Sequence, residues 1–211
     1  MTFNTRQKKT FFPMRTYFLL FAAPLLVFLS NCQNMDALNY LKAVKNGQLH
    51  FADGSIQDIP HWGDPEWTHL FCVRHAEKDR DEPHDPGLTT EGEARAERLG
   101  RIMSEADLDA VFASPARRAQ LTAEPVQRRG NTPLVETYAL EDQEDWILEL
   151  LTNNQGKKFL IVGHQDSVPH LLNQLNGGGF DFDNISNSDF GKLFVVATKG
   201  IGETEVMELR Y

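Results

Sequence analysis

Thr68-His69-Leu70-Phe71-Cys72-Val73 is a β-prone, mostly apolar run that stops abruptly on Arg74-His75. A strand buried on both faces reads as a short continuous apolar stretch, as this one does. The same event recurs twice downstream. Residues 109–113 (DAVFA) end on Ser114 to Arg118, and 158–163 (KFLIVG) end on His164. Three polar clusters, each just past the C-terminal end of a predicted strand, carry two histidines and three arginines. In an open α/β sheet that edge is where ligands bind. The combination points to an anion site.

Between and beyond these runs the sequence alternates strands with helices. Further strands are expected at 133–138 and 192–198, and helices at 90–106, 115–129, 143–153 and 167–176. The first helix has a capping box from Thr90 to Glu93 and puts Leu99, Ile102, Met103 and Ala106 on one face. The second opens Ser114-Pro115, an N-cap followed by proline at the first helical position. This alternation predicts a mostly parallel sheet with helices on both faces. KLFVVATKGIGETEVMELRY closes the chain as a hairpin around Lys199–Glu203, giving an antiparallel edge. Asn173–Asn187, rich in Gly, Asn and Asp, is the longest loop and lies beside the chemistry. Ahead of the first strand, 35–46 (MDALNYLKAVKN) reads as a short helix closed by Gly47, and the segment around Asp53-Gly54 as a hairpin.

Arg117 and Arg118 fall in the first turn of the second helix, where the macrodipole disfavours cations by about 0.3–1 kcal/mol each. A bound phosphate removes that conflict, because both guanidinium groups and the helix N-terminus attract it. Arg118 is read as the phosphate ligand and Arg117 as pointing into water.

The first thirty residues have a different character. Arg6, Lys8, Lys9 and Arg15 precede Tyr17–Leu29 (YFLLFAAPLLVFL), thirteen residues that are almost wholly apolar. About 20 are wanted to span a bilayer, so the run suits a signal-peptide core. It ends in Leu29-Ser30-Asn31-Cys32, which resembles a bacterial lipobox, with Asn31 where a smaller residue is usual. The organisation expected is therefore a signal peptide over 1–31, an N-terminal extension over 32–66 and the main domain over 67–211. Cys32 would be lipidated, anchoring an exported protein in the bacterial envelope, on the periplasmic side or in the outer membrane. Met14-Arg15-Thr16, directly before the apolar run, is a compact signal in itself, so Met14 is expected to work as a start. Cys72 is then left without a partner and reads as a small core residue.

Net charge reinforces the anion-site reading by contrast. It falls from −9 to −13 once the four cations of residues 1–31 are removed. A body this acidic repels nucleic acid and anionic membrane surfaces at long range, so no nucleic-acid partner is expected. Any anion must be held by a few concentrated cations.

Four motifs, in order, are similar to those of the histidine phosphatase (phosphoglycerate-mutase-like) superfamily. Leu70–Lys78 (LFCVRHAEK) resembles its RHG-type signature, in an RHAEK form that looks like a phosphatase subgroup. Leu88–Gly92 (LTTEG) matches LTxxG. Ser114–Ala123 (SPARRAQLTA) matches SPLxRAxxTA, with Ala116 in place of leucine, and Val162-Gly163-His164 matches the second histidine motif. The resemblance spans residues 68–198. It implies a phosphatase in which His75 takes the phosphoryl group covalently, while Arg74, Arg118 and His164 hold its oxygens. Water then hydrolyses the phosphohistidine, and no metal or other cofactor is required. The implied substrate is a phosphorylated small molecule or phosphoprotein.

The proton donor to the leaving oxygen is less specified. Asp142 and Glu141, in ALEDQEDW, lie where many members place a carboxylate. Asp166 and Glu77 are rivals. Two other readings stand against the phosphatase. One is a metal-dependent hydrolase using His75, Glu77, Asp79, His84 and Asp85, which has no recognised metal spacing. The other is a catalytically inactive relative serving as an envelope binding module.

Overall fold

The structure, a computed structural model, describes residues 40–130, 132, 135–137, 143–177 and 181–211. Its described chain opens on a three-stranded antiparallel sheet of β1 (Leu41–Lys45), β2 (Gln48–Phe51) and β3 (Ile56–Asp58). The hairpin around Asp53-Gly54 is therefore present. The helix expected over 35–46 is not, as far as it is described: residues 41–45 are extended and residues 35–39 lie outside the described residues. Leu41 and Val44 are both buried, and their spacing of three imitates a helical period. A bulge between Leu41 and Ala43 produces it, turning both side chains to one face. Gly47 closes a strand rather than a helix. Asn46 and Gly47, at φ 51° and 78°, form a two-residue turn that pairs Lys45 with Gln48.

The main sheet has six strands in the order β6-β5-β7-β4-β8-β9. They are β4 (Thr68–Arg74), β5 (Ala110–Ala113), β6 (Val135–Thr137), β7 (Lys158–Gly163), β8 (Lys192–Gly200) and β9 (Glu203–Arg210). β6, β5, β7 and β4 are mutually parallel, while β8 and β9 are antiparallel additions at one edge. The predicted fold class holds. Among the described residues four helices cover it: α1 (Thr90–Ile102), α2 (Arg117–Gly130), α3 (Gln143–Asn153) and α4 (Ser167–Leu175).

Side-chain alternation along the strands divides the core. Phe71, Val73, Val111, Ala113, Leu160 and Val162 pack with Leu99, Ile102 and Met103 of the α1 region and with Ala119, Ala123 and Val126 of α2. Leu41, Val44, Leu49 and Phe51 of the small sheet join this same layer. Leu70, Cys72, Phe112, Phe159 and Ile161 face the other way, onto α3 and α4. Burying one such side chain is worth about 1.5–3 kcal/mol, against about 0–1 for an exposed ion pair, so this double layer dominates the stability. Cys72 lies inside it, and burial pushes its thiol up to about 12, which leaves it inert.

The chain runs from β4 outward to β5 and β6 with α1 and α2 on one face. It then returns to insert β7 between β5 and β4, with α3 and α4 on the other. Strand order thus reverses around β5, β7 and β4, and the crevice of a doubly wound sheet opens at their C-terminal ends.

Candidate active site

The ends of β4, β5 and β7 carry His75, Ser114 and His164 into that crevice. Backbone bonds extend the ladder one residue past the strands and fix the three relative to one another. His75 N donates to Gly163 O at 2.9 Å and Ser114 N to Val162 O at 3.1 Å. Arg74, His75, Arg118 and His164 all line one open pocket of about 1100 Å³, so the structure brings the four predicted residues together.

His75 has a defined tautomer. Its Nδ1 lies 2.7 Å from Ala76 O, a group that only accepts, so Nδ1 carries the proton and Nε2 presents its lone pair. Burial, opposed by that carbonyl and helped by His164, Arg118 and Arg74, lowers its pKa to about 3. The ring is therefore neutral at ordinary pH. Arg118 Nε donates to His75 Nε2 at 3.2 Å, and Arg118 Nη2 approaches His164 Nδ1 at 3.4 Å. A guanidinium cannot accept, so His164 Nδ1 is the acceptor and its Nε2–H donates to Ser114 Oγ at 2.7 Å. Burial and the nearby Arg118 cation lower His164 to about 4. Arg74 is 5% exposed and held by the carbonyls of Ser186 (2.7 Å) and Asp189 (3.2 Å), with its guanidinium 4.1 Å above the Phe190 ring. Its buried Nε has no hydrogen-bond partner among the described residues.

A threonine couples the two halves of the site. Thr122 Oγ1 accepts from Ala76 N at 3.0 Å and donates to Arg118 O at 2.7 Å, locking the loop after His75 onto the turn that bears Arg118. The start of α2 differs from the sequence expectation. The helix begins at Arg117, and Ser114 does not cap it because its hydroxyl is taken by His164. Asp85 caps it instead, accepting from Arg117 N at 2.9 Å. Arg117 turns outward, as expected, although its guanidinium meets Glu82 at 2.8 Å rather than open water. At α1 the cap is Thr89, not Thr90, accepting from Gly92 N at 3.1 Å.

The carboxylates sort themselves by partner. Glu77 is gripped in a bidentate pair by Arg95 (2.6–2.9 Å), and although burial alone would raise its pKa, Arg95 holds it below the usual carboxylate range. A carboxylate kept ionised in this way is a poor acid, which argues against Glu77 as proton donor. Asp166 lines the pocket and accepts from its neighbour Ser167 N at the start of α4. Glu141 and Asp142 lie outside the described residues. The next residue, Gln143, is buried and donates from Nε2 to Ser167 O at 2.9 Å, beside the His164–Asp166 loop.

The metal reading names His75, Glu77, Asp79, His84 and Asp85. Glu77 belongs to Arg95, Asp85 to the start of α2, and His84 is exposed. Among the described residues no three His, Cys, Asp or Glu side chains gather to hold an ion. The loop carrying them is closed on itself, with Asp79 N donating to Gly87 O and Gly87 N to Glu82 Oε2.

Sequence reasoning missed Phe190, the Ser186 and Asp189 carbonyls, and Thr122. The loop that supplies the first three is Asn- and Asp-rich and has no periodicity. Thr122 falls inside the SPARRAQLTA motif, where its bridging role has no local signature.

The chain is similar to known proteins in part of its sequence and in its fold. The family model described as histidine phosphatase superfamily (branch 1) matches residues 70–144. A comparison with curated protein sequences finds no match. Among solved structures, the chain is similar to the protein histidine phosphatase SixA complexed with tungstate, at 19% identity and a TM-score of 0.57, covering 67% of this chain and 96% of that one. It is also similar to a mycobacterial glucosyl-3-phosphoglycerate phosphatase (12% identity, TM-score 0.53, 69% and 98% covered). A third is a phosphoserine phosphatase from Entamoeba histolytica in complex with phosphoserine (14% identity, TM-score 0.50, 68% and 96% covered). At these identities the likeness shows a shared fold.

Proposed function

We propose that this chain is a metal-independent phosphatase that hydrolyses phosphate monoesters through a phosphohistidine on His75. The observation that carries the reading is the neutral His75 ring, whose unprotonated Nε2 faces Arg118 at 3.2 Å. A neutral imidazole is a competent nucleophile, and phosphoryl transfer otherwise needs positioning and stabilisation of charge on the equatorial oxygens. Arg118 and Arg74 supply that stabilisation, and His164 orients Arg118 through its Nδ1. The tungstate bound by SixA is an oxyanion of comparable charge, which supports placing phosphate among these groups.

Attack by His75 Nε2 forms the N–P bond as the ester P–O bond breaks. The leaving oxygen takes a proton from a carboxylic acid, for which Asp142, with Glu141 beside it, is our assignment. β6 runs parallel to β5, so its C-terminal end points to the same edge as the site, and Gln143 is tied there to Ser167 O. Water then attacks phosphorus, returning its proton to that carboxylate and freeing neutral His75 and phosphate. Lys78 and Arg80 at the pocket wall favour anionic substrates, small molecule or phosphoprotein. Turnover of p-nitrophenyl phosphate that survives a chelator and is lost in His75→Ala supports this chemistry. Chelator-sensitive turnover overturns it in favour of a metal site, and no turnover in the parent protein in favour of a binding module.

We further propose that residues 1–31 are a lipoprotein signal and that Cys32 is the lipidated N-terminus of an envelope protein. Leu29-Ser30-Asn31-Cys32 after a thirteen-residue apolar run supports this reading. The intact mass of membrane-derived protein tests it.

A further inference from the structure

Every described lysine and arginine has a carboxylate partner, or in the case of Arg74 backbone carbonyls, with five exceptions: Lys42, Lys78, Arg80, Arg98 and Arg101. In a chain of net charge −9 the rule is expected and the exceptions are informative. Lys78 and Arg80 belong to the pocket already described. The other three converge on a second cavity, of about 300 Å³, which is lined by Lys42 from β1 and by Arg98 and Arg101 from the last turns of α1. Arg98 and Arg101 are three residues apart, hence on one helix face. All three side chains are exposed. Tyr40, 40% exposed, stands at the same cavity.

Position identifies the ligand. Tyr40 is where the described chain enters, pinned by Ala52 N donating to its carbonyl at 2.9 Å. It lies eight positions after Cys32, a reach of at most about 29 Å even when fully extended. A lipidated Cys32 would therefore keep Tyr40 within that reach of the headgroup layer. From these facts we infer that Lys42, Arg98 and Arg101 form a docking site for the phosphate of anionic phospholipid headgroups, with the Tyr40 ring at the interface. The inference rests on the lipid-anchor reading above. Long-range repulsion by the acidic body does not oppose it, because fields are screened beyond about 8 Å at physiological salt and the anchor supplies the approach. A lipid anchor with a basic patch is a recognised two-part membrane attachment.

Docking also orients the enzyme. Glu91, in the first turn of α1, lines the catalytic pocket, whereas Arg98 and Arg101 line the second cavity. At 1.5 Å per residue these ends of α1 are about 10–15 Å apart. Engaging the patch thus holds the catalytic mouth a short, fixed distance from the membrane surface.

Hydrogen exchange on protein purified from membranes tests this. The protein is reconstituted in vesicles of phosphatidylcholine alone, or of phosphatidylcholine and phosphatidylglycerol in equal parts. Amides of 40–45 and 98–102 should exchange more slowly in the anionic vesicles, and the difference should vanish in 1 M salt. The triple variant Lys42→Ser, Arg98→Ser, Arg101→Ser should lose the difference while hydrolysing a soluble ester at the parental rate. Each membrane-adjacent cation strengthens binding several-fold, so the triple change should weaken the docked state on the order of 10²-fold. The charge-conserving set Lys42→Arg, Arg98→Lys, Arg101→Lys should keep it. Equal exchange in both vesicles, or protection that survives in the serine variant, overturns the proposal. Intact mass of the same sample reports separately on Cys32. Lipidated protein with no lipid-dependent protection would leave the anchor standing and sink the patch, and protection without lipidation would do the reverse.

Discussion

Arg118 Nε donates to His75 Nε2 at 3.2 Å, so the cation that would hold a phosphoryl oxygen already touches the atom that would attack phosphorus. Substrate oxygens must enter that contact. Removing such a preorganised donor typically lowers kcat by about 10²–10³-fold. Arg118→Ala should show that loss. Arg117→Ala, which removes a 55% exposed side chain paired with Glu82, should change kcat less than about threefold. Steady-state kinetics on the two variants decides, and a reversed order would mean that the phosphate lies on the other side of the α2 start.

The proton donor can be read from leaving-group dependence. With a poorly leaving alkyl phosphate, Asp142→Asn should cost about 10²–10⁴-fold, and with p-nitrophenyl phosphate, whose leaving group needs little help, far less. Glu77→Gln should not show that split, since Glu77 is held ionised by Arg95. A split appearing in Asp166→Asn instead would move the acid to the α4 cap.

Gly92, the glycine of LTTEG, is required by contact rather than by backbone conformation. A Cβ there would lie 2.3 Å from Glu77 O, a backbone atom of the loop that follows His75. Gly92→Ala should therefore destabilise by about 1–3 kcal/mol and push that loop away from α1. Urea unfolding together with kcat should show both effects, and a variant of parental stability would contradict the packing described.

Much of this was legible in the sequence, and the failures have physical causes. The strand-end clusters at Arg74-His75, Ser114 and His164 marked the fold class and the candidate site. Apolar strands that end on charged or polar residues at one sheet edge deliver those residues to one crevice. The helix expected over 35–46 failed because a β-bulge gave Leu41 and Val44 a helical spacing. Ser114 has a cap's sequence signature, yet tertiary structure spends its hydroxyl on His164 and recruits Asp85 from a distant loop. The Phe190 and Asp189 contacts to Arg74 arise from a loop whose path no local pattern encodes.

Acid should weaken the fold through the two site histidines. Burial lowers His75 to about 3 and His164 to about 4, against an unfolded value near 6.5, so the unfolded chain binds more protons across this window. Stability from these groups is complete above pH ~6.5 and is lost as pH falls toward 4. By pH 5 the loss should be on the order of 1–2 kcal/mol per histidine. His164→Asn should flatten the dependence, measured as urea midpoints between pH 7 and 5. An unchanged slope would mean that His164 titrates near its ordinary value.

The covalent step is the central claim, and trapping it is the most direct measurement. Protein mixed with ³²P-labelled substrate, quenched in alkali rather than acid and digested, should carry label on the peptide containing His75, with the bond stable to base and labile to acid. His75→Ala should lose both label and turnover, while His164→Asn should retain some label. Full turnover in His75→Ala, or label on a serine or carboxylate instead, would contradict the account.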